Sequence, residues 1–457
     1  MAKKSASKLK AIRSSSLSRG FALAKMTLSA GAQAAGHAVG NLFSDESNKE
    51  DRVKALLLSQ TTLLANELGT LKGSLMKVGQ MLSMFGEHLL PPEANAVLKS
   101  LQSQSPPLEW KAIEKVIKRR LTAEQLATLD IEREPLASAS LGQVHLATRK
   151  SDGQKIALKI QYPGVDQAIE TDIKAMRSLL SMTKLIPGGH KYDELFKEVR
   201  EMLHREVDYR RELESTLEFK ELLSDDPRFV IPTPFPELSG KKILATSFEA
   251  GVSVDSAEVA ALSLERRSAI GKAAYELFLR EVFEFRKVQT DPHFGNYRIR
   301  IAEKPDRSGV FHDQMILFDF GAIRDIPQGF LRGYRQMIEG AFTRDEALLR
   351  KGAYEMEILR EDDSQVAKQR FTELCLMVME PSRRPDEEAY AWGKSDLAAR
   401  AMSQGRKLAF DFKLRPPPRE SVFIDRKAGG VFIFLSVLKA EFNPAPLLRK
   451  HLERNKF

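Results

Sequence analysis

The chain has 457 residues, 42% hydrophobic and 29% charged, with one cysteine and a net charge of +9. That length and balance exclude a globally disordered chain and leave room for two or three cored domains. A single cysteine, Cys375, excludes an internal disulfide framework and a thiolate zinc centre, and its apolar setting (LCLMVM) predicts a buried, inert thiol.

The charge is uneven. Residues 1–44 carry Lys3, Lys4, Lys8, Lys10, Arg13, Arg19 and Lys25 and no acid, which is +7 of the +9 and leaves +2 for the rest. A near-neutral body argues against a broad nucleic-acid face. The Ser-rich basic arm fits anionic lipid contact, an organelle transit segment or a solvated terminus. No run of 18 or more uncharged apolar residues occurs, so no membrane-spanning helix is expected, although peripheral membrane contact stays open.

In chain order, Leu57, Leu64, Leu68, Leu71, Leu75, Val78 and Leu82 recur at spacings of three, four and seven, predicting helix over 53–90 until Pro91-Pro92. A second helix is expected over about 108–121. The segment PLASASLGQVHLATRKSDGQKIALKIQY then reads as strands, with a turn at Ser151-Asp152-Gly153. Helices follow at about 166–184 and 193–223, a strand in KKILATSF, and a helix over about 262–285. Short strands are expected near 297–301 and 315–318, and mainly helix from about 327 onward. The resulting division is a basic arm (1–44), a helical extension (45–130), a first lobe (131–250) and a second lobe (251–457).

Phosphate chemistry calls for a tight loop after a strand, a Lys held by an acid, and further acids and an amide for Mg²⁺ and the nucleophile. Protein kinases place these as Gly-rich loop, Lys, Glu, Asp-x4-Asn, Asp-Phe-Gly. Here Asp291 and Asn296 in TDPHFGN have the Asp-to-Asn spacing, and Asp319-Phe320-Gly321 follows the apolar run MILF. Lys159 lies in IALKI. The loop Ala137-Ser138-Ala139-Ser140-Leu141-Gly142-Gln143-Val144 matches G-x-G-x-x-G-x-V at Gly142 and Val144, with Ala at the first two glycine positions. Each part alone is a weak signal, but the ordered set is specific. No Ala-Pro-Glu follows FDFG, so no peptide platform is specified.

With Lys77-Val78-Gly79-Gln80 (K-x-G-Q), Leu90–Glu93 (LPPE), the ASAS loop, Glu206-Val207-Asp208 (E-x-D), Glu212, the D-P-H-x-G-N-like loop and the late KAGG segment, the chain resembles the UbiB (AarF) family from about 53 to about 440. These are atypical kinase-like proteins tied to ubiquinone biosynthesis. The resemblance implies an α+β, protein-kinase-like two-lobed fold with an added N-terminal K-x-G-Q helical extension and a mainly helical C-terminal lobe. It implies ATP and Mg²⁺ as cofactors. Lys159 would contact the α/β-phosphates beside the loop from Ala137 to Val144, and Glu212 would be its partner. Asn296 and Asp319 would hold the metal, and Asp291 takes the catalytic-base position. Lys77 and Gln80 would lie over the kinase acceptor mouth, with Lys77 near Glu206 and Asp208.

On a regular helix Asp208 and Glu212 share a face and Glu206 does not, so one Lys cannot serve all three acids, whereas two partners, Lys159 and Lys77, can. The chain departs from the family pattern at Gln289, where His is common, and at Phe294, where Pro is common. His293 is expected to pack the loop rather than act chemically. The functions expected are ATPase or small-molecule kinase activity supporting quinone biosynthesis, or a nucleotide-gated module engaging isoprenoid or anionic lipid or quinone-biosynthesis proteins. An ordinary Ser/Thr kinase is a third reading. Expected locations are the cytoplasm, peripheral at an inner membrane, or the mitochondrial matrix.

Overall fold

A computed structural model describes residues 76–82, 107–182, 193–412 and 417–454. The basic arm, the rest of the 53–90 helical pattern and the LPPE stretch lie outside the described residues. The described residues divide into two compact units: those within 1–213 and 234–248, and those within 214–233 and 249–457.

The first unit is built on a four-stranded antiparallel sheet in the order β1 (Leu129–Ser138), β2 (Gly142–Arg149), β3 (Lys155–Gln161) and β4 (Ile243–Ser247). The β2–β3 turn falls where Ser151-Asp152-Gly153 predicts it. Gly153 takes φ +72°, and its N–H donates to the Arg149 carbonyl at 2.8 Å. Strand β3 shows why the sheet has two unlike faces: Ile156, Leu158 and Ile160 are fully buried, and alternation turns Lys159 to the other side. Helix α1 (76–82) buries Val78 and Leu82, and α2 (Trp110–Arg120) buries Ile113, Val116 and Ile117. Two further helices, α3 (Val165–Met182) and α4 (Asp193–Glu206), complete the unit together with the first turn of α5 (Tyr209–Leu222).

The expected continuous helix over 193–223 is a correction. It breaks at Val207-Asp208, where the Tyr209 N–H donates to the Lys241 carbonyl at 3.1 Å instead of continuing the helical ladder. Asp208, a residue type suited to helix starts, accepts from the Arg210 N–H at 3.2 Å. The regular-helix geometry assumed for Glu206, Asp208 and Glu212 therefore does not hold.

The second unit is mainly helical around one core that includes Leu277, Phe278, Val282, Phe320, Leu331, Tyr334, Phe434 and Leu435. Helix α6 (Leu264–Arg280) runs into a π-helical turn (Glu281–Phe285) that ends on Arg286 at φ 53°. That left-handed residue redirects the chain into β5 (Lys287–Gln289). Two small sheets then carry the loops of interest. Strands β6 (Tyr297–Arg300) and β7 (Gln314–Leu317) pair antiparallel, with Phe229–Val230 parallel to β7, and β5 pairs antiparallel with β8 (Ile323–Asp325). The three-residue strands β5 and β8 are too short to show a period in the sequence. Helices α7 (Gln328–Thr343) and α8 (Glu346–Glu355) pack together, and the long α9 (Arg419–Val437) closes on the core. Cys375 is half-buried against this core rather than fully enclosed, and burial pushes its thiol up, in keeping with an inert role. Among the described residues no helix is long and apolar enough to cross a membrane.

Candidate active site

In the first unit, β3 carries Lys159 between Val144 on β2 and Leu244 on β4. Its Nζ donates to both oxygens of Glu212 on α5, at 2.6 and 2.8 Å. Glu212 is 2% exposed, so the carboxylate is desolvated and the ammonium is its compensation. The Tyr209 ring lies 5.1 Å from the same Nζ. Beside this pair the β1–β2 hairpin turns through Ala139, whose N–H donates to the Gly142 carbonyl at 2.8 Å. Ala137, Ser138 and Ala139 are exposed and Ser140 is half-buried. Val144 sits directly opposite Ala137 in the register. Gly142 has a steric reason to be glycine: a Cβ would stand 2.5 Å from the Ile160 carbonyl oxygen and 2.8 Å from the Tyr209 hydroxyl.

Lys77 on α1 pairs with Glu206, the last residue of α4, at 2.7 Å. Gln80 lies three residues further on the same helix and is half-buried. Asp208 turns instead to Arg210, at 3.3 Å. Burial pushes the Asp208 carboxyl up, but hydrogen bonds from the Arg210 side chain and backbone outweigh it and hold the group below the usual range. The three acids thus face three cations: Glu206 with Lys77, Asp208 with Arg210, and Glu212 with Lys159.

In the second unit, the segment after β5 is tied down by its own side chains. Gln289, buried, accepts from the Asp291 N–H at 3.1 Å and donates to the Asp319 carbonyl at 3.2 Å. The Gln289 departure thus bridges the two motifs with one neutral amide. Asn296 donates through Nδ2 to the Asp291 carbonyl at 2.8 Å, which leaves Oδ1 as its acceptor atom. The Phe318 N–H donates to the Asn296 carbonyl at 3.1 Å, which joins the Asn296 end of the loop to the strand leading into FDFG. Asp319 Oδ1 accepts from the Gly321 N–H at 3.0 Å. His293 accepts at Nδ1 from the Gly295 N–H at 2.9 Å, so its ring shapes the loop.

One carboxylate and one amide oxygen fit Mg²⁺, which takes few protein ligands and completes its octahedron with phosphates and water. Among the described residues no group of three or more His, Cys, Asp or Glu could form an all-protein metal site.

The model of the ABC1 atypical kinase-like domain matches residues 100–353, more than half of the chain. The chain belongs to this family of atypical kinase-like proteins. It is 30% identical to "Atypical kinase COQ8, mitochondrial" of Saccharomyces cerevisiae over 98% of this chain and 87% of that one. It is 31% identical to "Atypical kinase COQ8B, mitochondrial" of Danio rerio, over 83% of this chain and 59% of the relative, so it spans well under two thirds of the fish protein. A solved Mycobacterium tuberculosis structure, the Rv3197–erythromycin complex, is similar with TM-score 0.58 and 25% identity, covering 87% of this chain and 97% of that one. As an ABC1-family member the chain has the α+β, two-lobed kinase-like fold and is a phosphotransferase-type, kinase-like enzyme.

Sequence reasoning missed the groups that reach the Asp291–Asn296 loop from afar. Arg426 on α9 donates through Nη2 to Asp291 Oδ1 at 2.8 Å. Its neighbour Lys427 pairs with Glu281 at 2.9 Å, both side chains 3% exposed, and stands 3.4 Å from the Tyr297 hydroxyl. Burial pushes Glu281 up, with Lys427 pulling against it. Burial depresses Lys427, and Glu281 and Tyr297 more than offset that. The signal bordered a segment already singled out: Arg426 stands immediately before KAGG, which Lys427 opens, in the middle of α9.

Proposed function

We propose that this chain binds Mg-ATP and turns it over as an ATPase or small-molecule kinase supporting ubiquinone biosynthesis at a membrane. The observation that carries the reading is Lys159, held by both oxygens of the buried Glu212 beside an exposed hairpin loop. An ammonium pre-oriented in this way offers charge to α/β-phosphates without reorganising. The loop from Ala137 to Val144 would lie along those phosphates. Its alanines in place of glycines limit how closely the backbone approaches.

Asn296 Oδ1 and Asp319 would hold Mg²⁺, which when bound neutralises phosphate charge. Asp291 would orient the attacking group and accept its proton. Lys77, with Gln80 on its helix, would tie the extension to the E-x-D segment through Glu206, with Asp208 as the junction to α5. The quinone assignment and a mitochondrial location draw support from the COQ8 relatives. A cytoplasmic, peripheral location is the alternative for a chain with this basic arm, and isoprenoid or anionic lipid and quinone-biosynthesis proteins are the partners to test.

The erythromycin complex of the solved relative favours a second reading, a nucleotide-gated module for a small molecule with little phosphoryl transfer. Asp291→Asn separates the two. If that variant still binds nucleotide and fully sustains quinone synthesis, the enzymatic reading fails.

The nucleotide assignment is tested by thermal shift with ATP or ADP, with and without Mg²⁺. At a hundredfold excess over Kd, ligand binding adds about 2.7 kcal/mol to native-state stability. Lys159→Ala should weaken the shift, and Asp319→Asn should remove its Mg²⁺-dependent part. No shift for the wild type would refute the assignment.

A further inference from the structure

The Asp291 carboxylate takes a charged partner from outside its own loop. Gln289 and Asn296 fix the Asp291 backbone, through its N–H at 3.1 Å and its carbonyl at 2.8 Å. His293 turns Nδ1 to the Gly295 N–H. A cation on the Asp291 side chain arrives from 135 residues downstream, from Arg426 at 2.8 Å.

Arg426 is the first member of a stripe. Gly430 lies one turn on, and a Cβ there would stand 2.2 Å from Pro292 Cβ and 2.3 Å from its Cγ. Phe434 lies one turn further and packs edge-on against Phe294 and Tyr297, at 6.2 and 5.7 Å between ring centroids. Residues spaced by four on a helix share one face, so a single face of α9 runs along the loop: Arg426 on Asp291, Gly430 on Pro292, Phe434 on Phe294. Lys427, bonded to Glu281 among buried groups, pins the helix at this depth. A charge-assisted bond from a planar guanidinium restrains a carboxylate in direction as well as distance.

We propose that Arg426 is a positioning residue for phosphoryl transfer, holding the Asp291 carboxylate in its working orientation while the Gly430–Phe434 face docks α9 on the loop. This deepens the nucleotide reading above and rests on it.

The test uses the full chain and Mg²⁺-dependent phosphate release from ATP, with wild type, Arg426→Gln, Arg426→Lys, Asp291→Asn and the double variant Asp291→Asn/Arg426→Gln. Misplacing a reacting group by about 1 Å costs on the order of 100-fold, so Arg426→Gln should lower kcat by roughly 10- to 100-fold. The KM for ATP should stay within about twofold, because the phosphate and metal groups are other residues. Arg426→Lys should recover part of kcat, and Arg426→Gln should change nothing further once Asp291 is Asn. The Mg-nucleotide thermal shift should persist in every variant.

Unchanged or raised kcat in Arg426→Gln overturns the inference. So does an equal fold-loss in the Asp291→Asn background, or a KM effect alone. If Arg426→Gln does not fold, Arg426→Lys decides: wild-type kcat there, with the helix intact, overturns it. A wild type that binds nucleotide but releases no phosphate overturns the inference while leaving nucleotide binding standing. A wild type that shows no shift at all refutes the nucleotide reading itself.

Discussion

Two adjacent glycines on α9 offer a controlled pair. Gly429 and Gly430 both lie in the interior of Arg419–Val437, so replacing either with alanine gains the same intrinsic helix preference, about 1 kcal/mol. Their surroundings differ. A Cβ at Gly429 meets nothing within 4 Å, whereas at Gly430 it meets the Pro292 ring at 2.2 Å, and a ring closed on its own backbone cannot swing aside. Overpacking of this kind costs about 1–3 kcal/mol. Gly429→Ala should therefore stabilise the protein by up to about 1 kcal/mol. Gly430→Ala should range from neutral to about 2 kcal/mol destabilised. Because the helix term cancels, the difference between the two variants measures the helix–loop contact alone.

At about 2–4 °C per kcal/mol for a domain of this size, the two melting temperatures should separate by several degrees in matched thermal denaturation followed by circular dichroism. Gly430→Ala should also lower phosphate release, since the loop it displaces carries Asp291. A Gly430→Ala protein as stable as Gly429→Ala and as active as wild type would refute the claim that α9 packs against the loop at this point.

The buried pair predicts a second result: Lys427→Met should destabilise the protein by about 3–5 kcal/mol, because Glu281, 2% exposed, loses the cation that compensates its burial. Adding Glu281→Leu should restore most of that loss, and a urea titration showing no recovery would place the cost elsewhere. The pH dependence of stability follows from Asp226 and Glu276, which share Arg228 at 2.7 Å each, with Arg280 and Lys450 adding contacts at 3.0 and 3.2 Å. Burial pushes both carboxyls up, and the hydrogen-bonded Arg228 outweighs it, so both lie below their ordinary values near 4. A lowered carboxyl binds fewer protons folded than unfolded, so its contribution is complete above the unfolded value and is lost as pH falls through the folded one. Melting temperature should thus fall as pH drops from about 5 towards 3, and Arg228→Met should flatten that slope. An unchanged slope would remove this cluster as its cause.

What could be read from the sequence was local. The β2–β3 turn, the Lys159 strand and the boundaries of α2 and α6 follow from period and turn chemistry within a dozen residues. The spacing of Asp291, Asn296 and Asp319 is a property of one loop and one strand end. The break at Val207-Asp208 was not legible, because EVREMLHREVDYRREL keeps a helical pattern through it. Only the Tyr209 N–H bonding to the Lys241 carbonyl, on a segment 32 positions away, shows the ladder interrupted.

The sequence by itself determined which residue types stand at the positions proposed for phosphate, metal and base and in what order, since motif spacing is covalent. Tertiary structure alone decided their partners. Lys77 meets Glu206 and Arg426 meets Asp291 across more than 120 residues in each case, and an ion pair depends on distance in space, which residue number does not encode. The same holds for Gly430: its neighbour Gly429 is chemically identical, and only the approach of Pro292 gives the two glycines different reasons to be there.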